Sequence, residues 1–292
     1  MLKNTDEKAV IKKITAWAES KPDIRTVILT SSRTKPNAEL DEFSDYDVIF
    51  VAENIKPYRE DENWLDEYGK VLGVYRDPVE TRFGFERFIN VTQYESGLKI
   101  DFTLWPIELM KHIARMDELP DYIADGYKVL LDKDKLTQGM KAPSYRAFIP
   151  KPPTEVEYLK FCEGFFYNTP YAAKHIRRGE FFPLKDMLNY LRYEKLRKML
   201  EWKVEIEHDW TIKSGVSSKG LEKYVSPKIL KEIEDSWKGF TTEENWKALF
   251  TIINMFGREA REVGKRLGYK YPEAKEKRLL AFLKKVKSGE LP

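Results

Sequence analysis

Residues 24–52, IRTVILTSSRTKPNAELDEFSDYDVIFVA, decide the fold of the first half of the chain. Residues 24–29 form a short run rich in β-branched side chains, and residues 45–52 form a second one. The segment between them, residues 30–44, is polar and contains Pro36, which indicates a loop. Short β-branched runs bounded by polar turns are typical of strands. This stretch therefore predicts two strands joined by a long loop.

Two carboxylates stand at the beginning of the second predicted strand. Asp45 and Asp47 are two residues apart, so both side chains should project from one face of a sheet, while Tyr46 and Val48 point to the other. Neighbouring carboxylates repel each other, and a divalent cation such as Mg²⁺, which prefers oxygen ligands, relieves that repulsion. Asp101 stands between apolar residues and would complete a set of three if its strand lies beside this one. An isolated Asp-x-Asp is also a common way to begin a strand without any metal.

The rest of the first half predicts a hairpin and flanking helices. Residues 86–95 and 98–105 are strand-like and are separated only by Ser96-Gly97, which is typical of a β-hairpin. Apolar residues recur at helical spacing after Asn4, a candidate N-cap with Glu7 three residues on. Further helices are predicted over residues 62–71 and 107–116.

The pattern changes after a proline-rich segment, residues 142–153, which we interpret as a linker because consecutive prolines interrupt helix and sheet alike. Almost everything beyond it has helical periodicity. The sequence thus predicts an α+β protein, with strands and flanking helices in a domain of residues 1–150 and an all-helical bundle in a domain of residues 151–292. The predicted helices of the second domain are residues 154–167, 171–178, 183–203, 227–237, 242–267 and 272–287.

The composition excludes several classes of function. The 292 residues carry 51 Lys and Arg against 48 Asp and Glu, whereas a nucleic-acid-binding protein usually has a clear basic excess. The single cysteine, Cys162, and three histidines provide no Cys- or His-based metal site. No apolar run is long enough to cross a membrane, and the N-terminus lacks the apolar core of a signal peptide. We expect a cytoplasmic monomer or weak dimer without nucleic-acid or membrane partners.

The charge is unevenly distributed along the chain. Residues 39–67 contain eleven acidic side chains and only Lys56 and Arg59 as cations, whereas the chain from Lys195 onward is more basic. One interpretation is two solvated faces of opposite charge. The other is an acidic site that holds divalent cations or a cationic substrate.

A strand, a serine-containing turn, an acid-x-acid pair and a later acid between apolar residues resemble the signature of the nucleotidyltransferase superfamily. Ser31-Ser32 corresponds to the turn, Asp45 and Asp47 to the pair, and Asp101 to the later acid. The resemblance implies a nucleotidyltransferase-type mixed β-sheet and three carboxylates that bind two Mg²⁺ for in-line transfer. It also implies that the turn, Ser31, Ser32 and Arg33, contacts the triphosphate of ATP. Gly usually stands in the place of Ser31, where a side chain makes the backbone less free to approach the phosphates.

One family within the superfamily is closer. Residues 32–47, SRTKPNAELDEFSDYD, are similar to the corresponding stretch of the aminoglycoside 6-adenylyltransferases, which modify streptomycin. So are NTPYAAKHIRRGE (168–180), EWKVEIE (201–207), NWKALF (245–250) and LGYKYPEA (267–274), which together reach over nearly the whole chain. The resemblance implies transfer of AMP from ATP to an aminoglycoside, streptomycin in particular, with release of pyrophosphate.

Three groups in the second half are candidates for binding the reactants. Lys174 follows a predicted helix start at Thr169-Pro170 and is a candidate contact to a phosphate of ATP. Asp186, Asn189 and Tyr190 lie with Tyr193 on one face of a predicted helix, a combination that suits a guanidinium- and hydroxyl-rich sugar. Asp186 is the candidate substrate contact, or the general base if it is buried. Glu194 is a weaker candidate, and an ordinary solvated face explains all of these residues about as well.

Two alternatives to streptomycin adenylylation follow from the same residues. One is the same chemistry on another acceptor, namely a different aminoglycoside, a protein or a tRNA end. The nearly neutral charge speaks against RNA, and the acidic residues 39–67 favour a cationic acceptor. The other alternative is a nucleotide-binding module without catalytic activity, which the presence of all three acids opposes.

Overall fold

The first half of the chain builds one mixed sheet of seven strands in the order β3-β5-β6-β2-β1-β7, with β4 paired to β5. Among the described strands, the central β2–β6 pair is parallel and the other neighbours are antiparallel. The predicted α+β fold with a mixed sheet is confirmed. The strands are β1 (Ile24–Thr30), β2 (Tyr46–Ala52), β3 (Val71–Arg76), β4 (Glu80–Arg82), β5 (Phe85–Tyr94), β6 (Lys99–Pro106) and β7 (Tyr127–Asp132).

The computed structural model describes residues 6–36, 38–212, 216–237 and 239–290. It divides into two compact units, Met1–Phe148 and Ile149–Pro292, and the division falls inside the segment interpreted as the linker. Within the described residues, no helix has the length and the apolar character needed to cross a membrane.

Both faces of the sheet in the first unit are covered. Helix α1 (Glu7–Ser20) packs on one face, where an aromatic cluster around Trp17 and Trp64 meets Phe50 and Phe102. Helix α3 (Ile107–Ala114) covers the other face. Two short helices, α2 (Pro57–Glu60) and α4 (Asp121–Ala124), complete the unit. Successive residues of β2 and β6 point alternately to the two faces of the sheet, as the strand period of two requires.

Several details of the first unit differ from the sequence predictions. Asn4 lies outside the described residues, and Asp6 caps α1 by accepting a hydrogen bond from the Ala9 N–H at 3.0 Å. The helix predicted over residues 62–71 is a 3₁₀ helix, Asn63–Tyr68, that buries Trp64, Leu65 and Tyr68. Strands β3, β4 and β7 were not predicted. They are exposed or half-buried strands at the margins of the sheet, and such strands lack a clear apolar pattern.

All regular secondary structure in the described part of the second unit is helical, as predicted. Its helices are α5 (Glu155–Arg178), α6 (Phe181–Tyr190), α7 (Arg197–Glu207), α8 (Pro227–Trp237), α9 (Thr242–Leu267) and α10 (Glu273–Ser288). A π-helical stretch, Leu191–Leu196, joins α6 to α7. Capping boxes begin α5 and α9, with Thr154 paired to Glu157 and Thr241 to Glu244, and each is worth about 1 kcal/mol.

The predicted break at Thr169-Pro170 was wrong, because α5 runs through both residues. Proline has no N–H, so the carbonyl four residues earlier, that of Phe166, loses its helical donor. The Thr169 hydroxyl donates to this carbonyl at 3.0 Å and replaces the missing bond. The helix therefore continues through Pro170. Lys174 consequently lies in the interior of α5 and not near a helix N-terminus.

Candidate active site

The three candidate carboxylates of the first unit lie together. Asp47 in β2 and Asp101 in β6 are directly opposite each other in the parallel register. Asp45 immediately precedes β2, and Tyr46 and Val48 are buried in the core on the other face, as the sequence predicts. The convergence depends on β6 being the parallel neighbour of β2, because only then does the later acid meet the acid-x-acid pair.

Burial and mutual repulsion act on two of these carboxylates. The pKa of Asp47 rises to about 6, chiefly because burial disfavours the charged form and also because Asp101 repels it. The pKa of Asp101 is also raised, again chiefly by burial. One oxygen of Asp101, Oδ1, is buried without a hydrogen-bond partner. Such an oxygen is costly in a dry site unless something else satisfies it.

A lysine that sequence reasoning did not single out lies among these acids. The Nζ of Lys99 donates to Asp45 Oδ2 at 2.5 Å and to Asp101 Oδ2 at 3.0 Å. No cluster of three or more His, Cys, Asp or Glu side chains in the described part of the chain is arranged to hold a metal ion. The carboxylates nevertheless fit a divalent cation chemically, because their oxygens are hard ligands, they repel one another and Asp101 Oδ1 has no partner. The signal for Lys99 was available, since it stands two residues before Asp101 and on the same face.

The turn after β1 lies beside Asp47, since Thr30 is the register partner of that residue. Ser31 begins a short 3₁₀ turn, Ser31–Thr34, and donates a hydrogen bond from its hydroxyl to the Asp47 carboxylate, which opposes the rise in the Asp47 pKa. The φ of Ser31 is +60°, a left-handed conformation that glycine adopts without strain. The backbone thus has the shape that the superfamily's usual glycine would favour, and the serine adds a hydroxyl to the acidic site.

Replacing Ser31 by Gly and by Ala should separate these two contributions. Both variants lose the hydroxyl, but only Gly removes the cost of a left-handed backbone. We expect Ser31→Gly to have a free energy of unfolding about 1 kcal/mol higher than Ser31→Ala, measured by urea denaturation. Equal stabilities would contradict a strained backbone at this turn.

Arg33 has internal partners on every side. Its side chain is only 3% exposed, and it forms an ion pair with Glu7 at 3.0 Å. It donates to the backbone carbonyls of Ser44 at 2.6 Å and Asp45 at 2.8 Å, and its guanidinium lies 3.6 Å from the centre of the Tyr46 ring. These contacts favour a role in holding the backbone at Asp45 over the predicted contact with the triphosphate.

Arg33→Met is expected to lower the free energy of unfolding of the ligand-free protein by about 2–3 kcal/mol, because two partly buried carbonyls lose a charged donor. Thermal and urea denaturation without nucleotide would measure it. A side chain that serves only to contact phosphate would leave the ligand-free stability within about 0.5 kcal/mol of wild type. That result would return Arg33 to the phosphate-binding role.

The second unit contains an open cleft of about 630 Å³. Asp186, Asn189 and Tyr190 all line it, so the face predicted from helical spacing is a real surface of one cavity. Sequence reasoning missed Asn168 and His175 as part of the same wall. His175 bonds locally, with its Nδ1 2.7 Å from Glu180 Oε2. The complete lining is Asn168, His175, Pro183, Asp186, Met187, Asn189, Tyr190, Tyr193 and Glu194.

The π-helical stretch shapes one side of this cleft. Tyr193 and Glu194 belong to it, and π-turns within helices occur frequently at functional sites. Buried Arg192 in the same stretch donates to Asn189 Oδ1 at 3.1 Å and to both the hydroxyl and the carbonyl of Ser236, which orients the Asn189 amide. Asp186 is exposed. The alternative role as a general base required burial, so the structure does not support it.

Lys174 is exposed on α5, with its Nζ 5.5 Å from the centre of the Tyr171 ring. It is not among the residues that line the cleft. Because α5 is continuous at Pro170, the helix-terminus argument for phosphate binding by Lys174 no longer applies. Its assignment now depends on the family resemblance alone.

Comparison with known proteins identifies the family. The family model "Streptomycin adenylyltransferase" matches residues 4–286. The chain is 31% identical over 259 residues to an aminoglycoside 6-adenylyltransferase of Bacillus subtilis (strain 168), an alignment covering 87% of this chain and 88% of that protein. It is 26% identical over 273 residues to a protein of the same name from Campylobacter jejuni, covering 93% and 92% of the two chains.

A crystal structure of an aminoglycoside 6-adenyltransferase from Bacillus subtilis aligns over 98% of this chain and 99% of its own, with 24% identity and a TM-score of 0.47. The family match extends over both units, as the residues quoted from both halves of the sequence predict. The chain belongs to the streptomycin adenylyltransferase family, a family of nucleotidyltransferases.

Proposed function

We propose that this protein transfers AMP from ATP to a hydroxyl of streptomycin, at the 6-position, and releases pyrophosphate with the help of Mg²⁺. The observation that carries the proposal is the opposition of Asp47 and Asp101 across two parallel strands, with Asp45 beside them, in a chain of this family. Adenylyl transfer to an aminoglycoside is supported by family membership; the particular acceptor and position come from the names of the family and its relatives.

The chemistry forms one bond and breaks another. The acceptor hydroxyl oxygen attacks the α-phosphorus of ATP, the bond from that phosphorus to the bridging oxygen breaks, and pyrophosphate leaves with the bonding electrons. The hydroxyl proton passes to a base. Asp45, Asp47 and Asp101 would hold Mg²⁺, which when bound supplies charge stabilisation to the attacking and leaving oxygens.

The residues of the chain have separate tasks in this proposal. The Ser31–Ser32 turn lies next to Asp47, and its backbone is proposed to approach the phosphates. Arg33 holds the carbonyl of Asp45 and thereby positions the first carboxylate. Lys174 is kept as a phosphate contact on family resemblance.

The cleft of the second unit is proposed to bind the acceptor. Streptomycin is a polycation, and Asp186 and Glu194 supply two carboxylates in one cavity wall. Tyr190 and Tyr193 add aromatic faces on which a guanidinium can stack. Asn189 provides an amide for the sugar hydroxyls, held in place by Arg192.

The direct test measures pyrophosphate release from ATP and Mg²⁺ with a panel of aminoglycosides, followed by mass analysis of the product. We expect streptomycin to gain one AMP. Release with another aminoglycoside but not with streptomycin would keep the chemistry and change the acceptor. Binding of ATP without release for any acceptor would support the silent nucleotide-binding alternative and overturn the proposal.

A further inference from the structure

Lys99 occupies the centre of the acidic site. Its ammonium group contacts one oxygen of Asp45 and one oxygen of Asp101, and the same carboxylates are the proposed ligands of the metal. It reaches Asp101 because Lys99 and Asp101 are two residues apart in β6 and share a face of the sheet. The contact with Asp101 is therefore built into the strand, whereas Asp45 meets the same ammonium from the position just before β2.

The arrangement solves an electrostatic problem for the metal-free protein. Three carboxylates brought together at the end of two strands repel one another, and an unpaired charge in a partly buried site is costly. A single ammonium shared by two of them offsets much of that repulsion. Asp101 Oδ2 is satisfied in this way, whereas Asp101 Oδ1 is left without a partner.

The same contacts obstruct a divalent cation. A metal ion that used Asp45 Oδ2 and Asp101 Oδ2 would have to displace the ammonium, and any nearby positive charge would repel the ion. The Lys99 side chain is 26% exposed and long, so it can withdraw toward solvent without unfolding the strand.

We propose that Lys99 is an internal counter-ion that takes the place of the metal in the ligand-free protein and sets the metal affinity of the site. The inference depends on the proposed function, because it assumes that these carboxylates bind a divalent cation. Lys99 makes the metal-free fold more stable and, for the same reason, makes metal binding weaker. It is a positioning residue, and no reacting atom needs to touch it.

The test compares Lys99→Met with Lys70→Met. Lys70 forms an exposed ion pair with Glu95 in the same unit, so its variant removes a lysine–carboxylate contact elsewhere. Mn²⁺ binding is followed by electron paramagnetic resonance without nucleotide, and thermal unfolding is followed in EDTA and in Mg²⁺.

We expect Lys99→Met to bind Mn²⁺ about tenfold more tightly than wild type and to unfold at a lower temperature in EDTA. The increase in unfolding temperature that Mg²⁺ causes should be larger for Lys99→Met than for wild type. Lys70→Met should match wild type in all three, and Lys99→Arg should restore an affinity near that of wild type.

Unchanged or weaker Mn²⁺ binding by Lys99→Met would overturn the inference. Asp47→Asn distinguishes this failure from failure of the proposed function. If wild type binds Mn²⁺ and Asp47→Asn does not, the metal site stands and only the role of Lys99 is in question. If the two bind Mn²⁺ equally, the carboxylates are not the metal site, and both proposals fall.

Discussion

Asp47→Asn is expected to abolish adenylyl transfer and, in the same protein, to increase the free energy of unfolding. Activity should fall by a factor of about 10³ or more, because the amide keeps the shape of the side chain but loses the charge that a divalent cation needs. Stability in EDTA at pH 8 should rise by about 1–3 kcal/mol, because a buried carboxylate opposite another one is replaced by a neutral group.

The pH dependence of this gain follows from the direction of the pKa shift. The folded-state pKa of Asp47 is raised to about 6 from 3.8, so folded protein holds its proton over a range in which unfolded protein has lost it. Stability therefore decreases as the pH rises from about 4 to about 6, and the cost is complete above that window. Asp47→Asn has no such proton, so the two proteins should be similar in stability at pH 4 and should diverge toward pH 8.

The measurement is urea denaturation in EDTA at several pH values, together with pyrophosphate release in Mg²⁺. Asp117→Asn is the matched control, because Asp117 is an exposed acid of the same unit that is not one of the three candidate carboxylates. It should leave activity unchanged and stability within about 0.5 kcal/mol of wild type. If Asp47→Asn keeps more than one-tenth of the wild-type activity, Asp47 is not a ligand of the metal. If Asp47→Asn and wild type have equal free energies of unfolding at pH 8, the buried carboxylate does not destabilise the fold.

The acidic site was predictable in part because its signal is local. The period of two along β2 places Asp47 opposite to the buried Tyr46 and Val48, and this follows from any strand assignment. The hairpin of β5 and β6 was also local, since only residues 95–98 separate its strands. The parallel pairing of β2 with β6 joins residues more than fifty positions apart, and no periodicity specifies it. From the residues alone, the meeting of Asp101 with Asp45 and Asp47 was predicted only if the two strands were neighbours. The family resemblance was the reason to expect that they are.

The contacts that tune the site were not predictable from residue types. The resemblance implied that Arg33 contacts the triphosphate, and no residue pattern indicated that its guanidinium is enclosed by Glu7, Tyr46 and two carbonyls. Pro170 was interpreted as a helix boundary by a sound rule, which fails here because the Thr169 hydroxyl replaces the lost donor. Both sets of hydrogen bonds depend on three-dimensional geometry that short-range sequence patterns do not contain.

Asp186→Asn is expected to raise the KM for streptomycin by about 10- to 100-fold while the KM for ATP stays near that of wild type. A charge-assisted hydrogen bond to a guanidinium is worth about 1.5–3 kcal/mol, and the amide retains only a neutral one. The exposed position of Asp186 on the cleft wall favours this effect on acceptor binding over an effect on proton transfer. Initial-rate kinetics with each substrate varied in turn would separate the two KM values.

Two further variants, Glu194→Gln and Glu163→Gln, serve as comparisons for Asp186→Asn. Glu194 lines the same cleft and should show a smaller increase in the streptomycin KM, because it supplies the second carboxylate of the wall. Glu163 pairs with Lys275 on the surface and does not line the cleft, so its variant should behave as wild type. If Asp186→Asn leaves the streptomycin KM unchanged, the acidic wall of the cleft is an ordinary solvated face. If the KM values for streptomycin and for ATP both rise in Asp186→Asn and in Glu163→Gln, the substitutions disturb the helical unit as a whole. The residues that recognise the acceptor must then be sought elsewhere.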